Sequence, residues 1–190
     1  MELVAEQVNT FGPSPRRVFL IDATMKHLPV ATYHRFIDDA ATFKVRLLGV
    51  ATVVDAEGLE LTRAETVTLL NDLCMLAPGA LVDPSIRWEP IDATSARVIY
   101  TRGSETVSAE LRFDASGFLT NFISEDRSRS SPDGTSFTRM RWSTPLREPR
   151  PFGSARLAAR GEARWHEPGG AEYAYVELEL LEVGYDVAEP

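Results

Sequence analysis

The sequence has little of what the common catalytic and metal sites require. It contains one cysteine, Cys74, and three histidines, His27, His34 and His166. One cysteine cannot form an intrachain disulfide, and no histidine has the spacing or the neighbouring cysteine pair typical of a zinc site. The glycine-rich phosphate loop, the dinucleotide fingerprint and the Gly-x-Ser-x-Gly elbow are also absent. We therefore expect no metal, no cofactor and no recognisable catalytic motif.

Concentrated basic charge and long apolar runs are missing too. The 190 residues carry 20 Lys and Arg against 28 Asp and Glu, a formal net charge of -8. Nucleic acids and anionic membrane surfaces both require a concentrated basic face, so we expect neither as a partner. No run approaches the roughly 18 apolar residues of a membrane span, and residues 1–15 do not resemble a signal peptide. We expect a cytoplasmic protein without stable membrane insertion.

One helix is clearly marked in the sequence. Thr62-Arg63-Ala64-Glu65 has the pattern of a capping box, and Ala77-Pro78-Gly79 stops a helix, so we predict a helix from Arg63 to Leu76. Its apolar residues fall within one arc: Val67, Leu69, Leu70, Leu73, Cys74 and Ala77. Four polar residues lie largely outside that arc: Glu65, Thr68, Asn71 and Asp72. We expect a helix that packs on a sheet, with Cys74 as a small buried hydrophobic residue.

Most of the remaining chain alternates between apolar and polar residues, the pattern of strands with one buried face. The hairpin turn Asp114–Gly117 follows the best example, and the linkers are too short for parallel crossovers. A shift of apolar phase between Leu180 and Leu181 indicates a bulge or sharp bend in a last strand that ends at Val187. The Pro/Arg-rich segment Arg147–Gly153 is expected to be irregular.

These patterns predict a mainly β (α+β) fold. We expect a single strongly curved antiparallel sheet, a half-barrel of about 9–11 strands, with one main helix packed on its concave side. Residues 1–190 form one predicted domain, because no linker or repeat divides the chain. Residues 1–15 are expected to be a loose N-terminal arm, since Gly12, Pro13 and Pro15 interrupt any regular pattern.

Five side chains are candidates for lining a ligand cavity: Trp88, Tyr100, Phe113, Arg127 and Trp142. Aromatic residues inside a curved sheet commonly line apolar cavities, and an arginine can bind a carboxylate or phosphate with two hydrogen bonds. The same aromatic residues equally suit a packed core, and Arg127 equally suits a cross-strand ion pair with Glu125. The sequence leaves these alternatives open.

Asp72 and His34 are the candidates for acid/base chemistry. Asp has poor helix propensity, so Asp72 either faces a cavity as an anchor or general base, or lies on a solvated outer face. Its angular position favours the solvated face. His34 becomes a catalytic candidate only if folding brings a carboxylate beside it, since lone strand histidines are commonly structural or solvated.

Several segments resemble an uncharacterised bacterial family of unknown function, over about Val18 to Val187. The segments that carry the resemblance are 65–72, 77–81, 86–88, 126–127, 141–145 and 161–165. The resemblance implies no established activity. It implies an architecture similar to the LolA/LolB-like lipoprotein carriers, a curved antiparallel half-barrel whose open side is plugged by helices. Two features depart from that comparison: those carriers are exported whereas this chain shows no export signal, and relatives often carry Glu where this chain has Asn71 or Asp72.

The sequence is compatible with three functions. The leading hypothesis is a binding module that holds a lipid-like, hydrophobic or amphipathic small molecule between the concave face and the helix. The alternative is an enzyme that performs acid/base chemistry on a small hydrophobic substrate with Asp72 or His34. The third is a structural protein that dimerises through an exposed strand edge. Ligand identity and oligomeric state do not follow from the sequence.

Overall fold

The computed structural model describes residues 3–25, 27–131 and 135–187. Five strands precede the helix and pair in sequence order as an antiparallel meander, which we call the N-terminal sheet. They are β1 (Leu3–Thr10), β2 (Arg16–Met25), β3 (Leu28–Ile37), β4 (Ala40–Leu47) and β5 (Ala51–Glu57). Alternate residues on these strands face the helix, and the others face outwards.

Helix α1 runs from Leu59 to Leu76 and is followed by a 3₁₀ turn over Pro78–Val82. Its predicted end at Leu76 is confirmed, but its predicted start at Arg63 is wrong by four residues. The chain turns into the helix at Gly58, whose φ of 116° is a backbone conformation that glycine adopts readily. The predicted capping box is also wrong, because Thr62 Oγ1 accepts a hydrogen bond from the Ala41 amide at 3.1 Å.

In the described residues after the helix there are nine further strands. Seven form the C-terminal sheet, in the order β14-β13-β12-β9-β8-β7-β6, and β10 and β11 form a separate two-stranded ribbon. They are β6 (Ile86–Asp92), β7 (Ser95–Arg102), β8 (Glu105–Phe113), β9 (Leu119–Ser124), β10 (Ser128–Ser130), β11 (Phe137–Arg139), β12 (Trp142–Phe152), β13 (Ala155–His166) and β14 (Glu172–Glu179).

The predicted class, a mainly β protein with antiparallel strands and one main helix, is confirmed. The strands differ from the prediction in number and arrangement, since the described residues form 14 strands in two large sheets and one ribbon. The reason is that β5 leads into helix α1 instead of into β6. The helix therefore separates two meanders that the sequence pattern presents as one.

The expected loose arm at residues 1–15 contains strand β1, which pairs with β2 along its whole length; residues 1 and 2 lie outside the described residues. The Gly- and Pro-rich residues after it form the connection between β1 and β2. β1 is an edge strand, and its Val4 and Val8 are exposed. Because an exposed edge strand has no strict apolar alternation, its sequence gave a weak strand pattern.

The expectation of irregular structure at Arg147–Gly153 is wrong, since β12 continues to Phe152. Its Pro149 and Pro151 pair with Ala158 and Arg156 of β13. Proline has no N–H to donate to a neighbouring strand, and these two prolines lie where β12 pairs with β13 but no longer with β9. A strand can therefore contain them where only one of its sides is paired.

The last predicted strand is too long. β14 ends at Glu179, the Leu180 amide still donates to the Ala159 carbonyl of β13 at 2.8 Å, and residues 181–187 form no strand, so the phase shift after Leu180 marks the end of a strand. The register of β14 is irregular further back, opposite Ala163 and Arg164.

One apolar cluster joins both large sheets through the helix. It includes Phe36 and Ala41 of the N-terminal sheet, Leu70 of α1, and Val98 and Phe122 of the C-terminal sheet. Single-domain organisation stays a prediction, and this shared core supports it. In the part of the chain that the structure describes, no helix is long and apolar enough to cross a bilayer.

Candidate functional site

Helix α1 buries charged residues on the side that faces the N-terminal sheet. Glu65 and Asp72, two turns apart, are 1% and 6% exposed, and Thr68 and Asn71 are buried as well. The interpretation favoured by the sequence, that Asp72 lies on a solvated outer face, is therefore wrong. Two sheets enclose the helix, which leaves no such face, and burial of carboxylates then requires compensating charge.

Arg17 supplies part of that charge. Its guanidinium Nε donates to Asp72 Oδ2 at 2.7 Å, and its Nη1 lies 3.3 Å from Glu65 Oε2. Arg17 is 4% exposed. Asp72 Oδ2 also accepts from Gln7 Nε2 at 2.8 Å and Asn9 Nδ2 at 3.2 Å, both on β1. The carboxylate thus connects β1, β2 and the helix.

His34 lies beside the second carboxylate, on β3. Its Nε2 is 3.0 Å from Glu65 Oε1, an ion-pair distance without hydrogen-bond alignment, and its ring packs edge-on against Phe43. Burial alone raises the pKa of the Glu65 carboxyl, but His34, Arg17 and Arg127 outweigh it and lower the pKa to about 2. Glu65 is therefore held as a carboxylate.

Arg127 approaches Glu65 from the connection between β9 and β10. Its Nη2 lies 3.7 Å from Glu65 Oε1, and its Nε and Nη1 donate to Thr68 Oγ1 and Tyr175 OH. The guanidinium lies over Trp142, 4.6 Å from the ring centroid, in a cation–π arrangement. Two of the candidate ligand residues, Arg127 and Trp142, are thus brought together, with each Arg127 nitrogen turned to an internal partner.

We call Arg17, His34, Glu65, Asp72 and Arg127 the charged cluster. Its two arginines balance its two carboxylates when His34 is neutral. In the described part of the chain, neither of the two pockets treated below is lined by any of these five residues. The cluster has the paired titratable groups that acid/base chemistry requires, but neither of these two pockets leads a substrate to them.

An apolar pocket of about 250 Å³ lies at the C-terminal end of α1. Its lining residues come from the helix end and from the C-terminal sheet: Cys74, Met75, Pro78, Leu81, Trp88, Leu111, Phe113, Gly117, Phe118, Leu119, Leu146, Arg156, Leu157 and Ala158. Trp88 and Phe113 are two of the candidate ligand residues. We call this space the helix-end pocket.

The pairing of β12 explains why this pocket exists. β12 pairs with β9 only from Trp142 to Pro145, whereas it pairs with β13 as far as Phe152. Beyond Pro145 the two neighbours separate, and residues of the β8–β9 turn line the pocket opposite residues of the β12–β13 hairpin. The exposed prolines of β12 are tolerated here, because beyond Pro145 the side of β12 that faced β9 has no neighbouring strand to receive a backbone N–H.

Cys74 confirms the prediction of a small buried hydrophobic residue. It is a free, buried cysteine, and burial raises the pKa of its thiol well above the usual range. Tyr100, the fifth candidate ligand residue, is buried in the core away from both the helix-end pocket and the charged cluster. Burial raises the pKa of Tyr100 to about 12 despite the nearby Arg102.

Sequence reasoning missed Arg17, Glu65 and Arg156. The burial of Arg17 could have been predicted from the sequence. Arg17 has the same alternation as Phe19 and Ile21 on β2, so its side chain points to the buried face of that strand. No sequence feature predicts the position of Arg156, because its place beside the pocket depends on where β12 separates from β9.

A second pocket, of about 430 Å³, is a surface depression beside His166. His166 Nε2 lies 2.8 Å from Ser143 Oγ, and its Nδ1 lies 3.2 Å from Glu172 Oε2, the order of groups in a nucleophilic triad. Ser143, however, is 1% exposed, and Arg164 binds the same Glu172 at 2.6 Å. A substrate cannot reach Ser143 in this arrangement, so we treat the three residues as a cross-strand hydrogen-bond chain.

Over the described residues, fold and site together define an antiparallel β protein whose two large sheets enclose a helix, with an internal charged cluster and an apolar pocket at the helix end. The chain belongs to DUF6544, a family of unknown function, whose sequence profile matches residues 1–178. The search of curated proteins found no match. The search of solved structures found no match either.

Proposed function

We propose that this protein binds a small apolar or amphipathic molecule in the helix-end pocket. The observation that carries the proposal is the pocket itself, an apolar space of about 250 Å³ between the end of α1 and the C-terminal sheet. Ligand sites are typically concave, mainly apolar and rich in aromatic side chains. Trp88, Phe113 and Phe118 give this pocket that lining.

The volume of the pocket limits the size of the ligand. Sites for drug-sized molecules have volumes of roughly 300–1,000 Å³, so about 250 Å³ suits a short alkyl chain or a single aromatic ring. A full-length lipid acyl chain requires more space. Of the sequence candidates, Trp88 and Phe113 are the residues we assign to the ligand.

A series of linear alcohols from butanol to octanol tests this proposal by isothermal titration calorimetry. Each buried CH₂ contributes about 0.8 kcal/mol, so affinity should rise about fourfold per carbon until the chain fills the pocket. Absence of binding, or binding that does not depend on chain length, contradicts the proposal.

A blocking variant and a matched control locate the site. Leu119→Trp places an indole at the pocket wall and should abolish alcohol binding, whereas Val50→Trp places the same group on an exposed turn and should leave it unchanged. Circular dichroism of both variants confirms that they fold. Equal loss of binding in the two variants contradicts the assignment of the pocket.

We further propose that the two large sheets correspond to the half-barrel of the LolA/LolB-like carriers. The support is the shared arrangement of antiparallel sheets around a helix, an analogy of fold that does not determine a ligand or an activity.

A further inference from the structure

The helix-end pocket has one charged side chain in its lining, Arg156. Arg156 is exposed at the start of β13, and its guanidinium carbon lies 5.4 Å from the centroid of the Phe118 ring. The guanidinium is therefore beside an aromatic side chain that itself lines the pocket. This places a positive charge next to an otherwise apolar space.

Arg156 differs from the other arginines of the same hairpin in its partners. Arg147, Arg150, Arg160 and Arg164 each contact a glutamate. Among the described residues, Arg156 forms no ion pair within the 4.0 Å that defines one. The N–H donors of its guanidinium are therefore available to bind the carboxylate of a ligand.

Asp114, in the β8–β9 turn, is a carboxylate close enough to Arg156 for the guanidinium charge to act on it. Hydrogen bonds from Ser116 and the Phe118 amide, together with the Arg156 charge, hold the pKa of Asp114 below its usual range. Asp114 Oδ1 accepts from the Ser116 amide, the Ser116 hydroxyl and the Phe118 amide, at 2.7–3.0 Å. These bonds direct the Asp114 carboxylate into its own turn.

We propose that the helix-end pocket selects apolar carboxylic acids, with Arg156 binding the carboxylate and the pocket binding the alkyl or aryl group. The proposal rests on the proposed function, because it assigns a ligand class to the same pocket. A neutral ligand gains only from burial, whereas an acid adds charge-assisted hydrogen bonds to Arg156. An amine of the same shape is repelled by the guanidinium.

Three ligands of matched shape test the charge requirement: 3-phenylpropionate, 3-phenylpropan-1-ol and 3-phenylpropylamine. Hydrogen bonds to charged groups are strong enough to increase affinity about tenfold. In calorimetry at pH 7 we therefore expect the acid to bind at least about tenfold more tightly than the alcohol, and the amine to bind most weakly. Equal binding of acid and alcohol overturns this inference but leaves the proposed function standing. Failure of all three to bind overturns both.

Variants of Arg156 test the residue. Arg156→Gln should reduce the affinity for the acid to about that for the alcohol, whereas Arg156→Lys, which keeps the charge but loses the planar set of donors, should give an affinity for the acid between the two. Arg160→Gln is the matched control, because Arg160 lies on the same strand, outside the pocket lining. Retention of the acid preference in Arg156→Gln, or its loss in Arg160→Gln, overturns the assignment.

Discussion

Arg17 is the cation that both buried carboxylates of the helix share. It is itself buried, and it contacts Glu65 and Asp72 through different nitrogens. The desolvation of three charges is costly, and their mutual attraction offsets that cost only while all three are present. A buried ion pair of this kind is weak evidence for net stabilisation, but loss of one member is strongly destabilising.

Replacement of Arg17 by leucine should therefore lower the free energy of unfolding by about 3–5 kcal/mol, since it leaves Asp72 and Glu65 without their shared partner. Urea denaturation followed by circular dichroism measures the change. The neighbouring Arg16 points to the exposed side of β2, and Arg16→Leu should change stability by less than about 0.5 kcal/mol. Similar losses of unfolding free energy in Arg17→Leu and Arg16→Leu would show that the charged cluster does not account for the predicted destabilisation.

At the scale of the helix, the sequence reveals its presence and its end but not its start. Ala77-Pro78-Gly79 stops any helix, so Leu76 follows from local chemistry alone. The Thr62 and Glu65 pattern is equally typical of a local cap, but both residues contact the N-terminal sheet instead. Tertiary partners decide between the two uses, and a local pattern contains no information about them.

The five predicted ligand residues lie in three different places, again because tertiary partners decide where each one packs. Trp88 and Phe113 line the helix-end pocket, whereas Arg127 and Trp142 join the charged cluster and Tyr100 joins the core. Aromatic residue type marked Tyr100 and Trp142, which are buried, but also Trp88, which is 41% exposed. Their grouping depends on strand order and on the separation of β12 from β9, which neither spacing nor composition encodes.

The contact between Thr62 and β4 gives an element-scale prediction. Thr62→Val removes the acceptor of the buried Ala41 amide and should cost about 1–3 kcal/mol. Hydrogen exchange locates the effect: the Ala41 amide should lose protection, while the Glu65 amide should keep its protection. Loss of protection at the Glu65 amide with Ala41 unchanged would instead support the capping box.

At the scale of the whole molecule, α1 is the element that both large sheets share. Its apolar residues join the common core, and its carboxylates contact Arg17 of β2 and Arg127, which lies in the connection after β9 and packs on Trp142 of β12. Any change in the ionisation of Glu65 therefore acts on the packing of both sheets against the helix. Global stability should consequently respond to pH through this one residue.

The sign of that response follows from the lowered pKa of Glu65, about 2 in the folded protein against 4.5 ordinarily. As pH falls, the unfolded chain takes up the proton first, so the contribution of Glu65 is fully present above about pH 4.5 and is lost as pH falls towards 2. Its size is on the order of 3 kcal/mol. Urea denaturation at pH values between 6 and 2 should show this decline.

Glu65→Gln should separate this contribution from other acid effects. The variant should be less stable than the wild type at pH 7, because Arg17 and Arg127 lose a partner, and it should lose less stability between pH 5 and pH 2. Glu6→Gln, on the exposed edge strand β1, should follow the wild-type curve. Parallel curves for wild type and Glu65→Gln would mean that the charged cluster does not link the two sheets through this carboxylate.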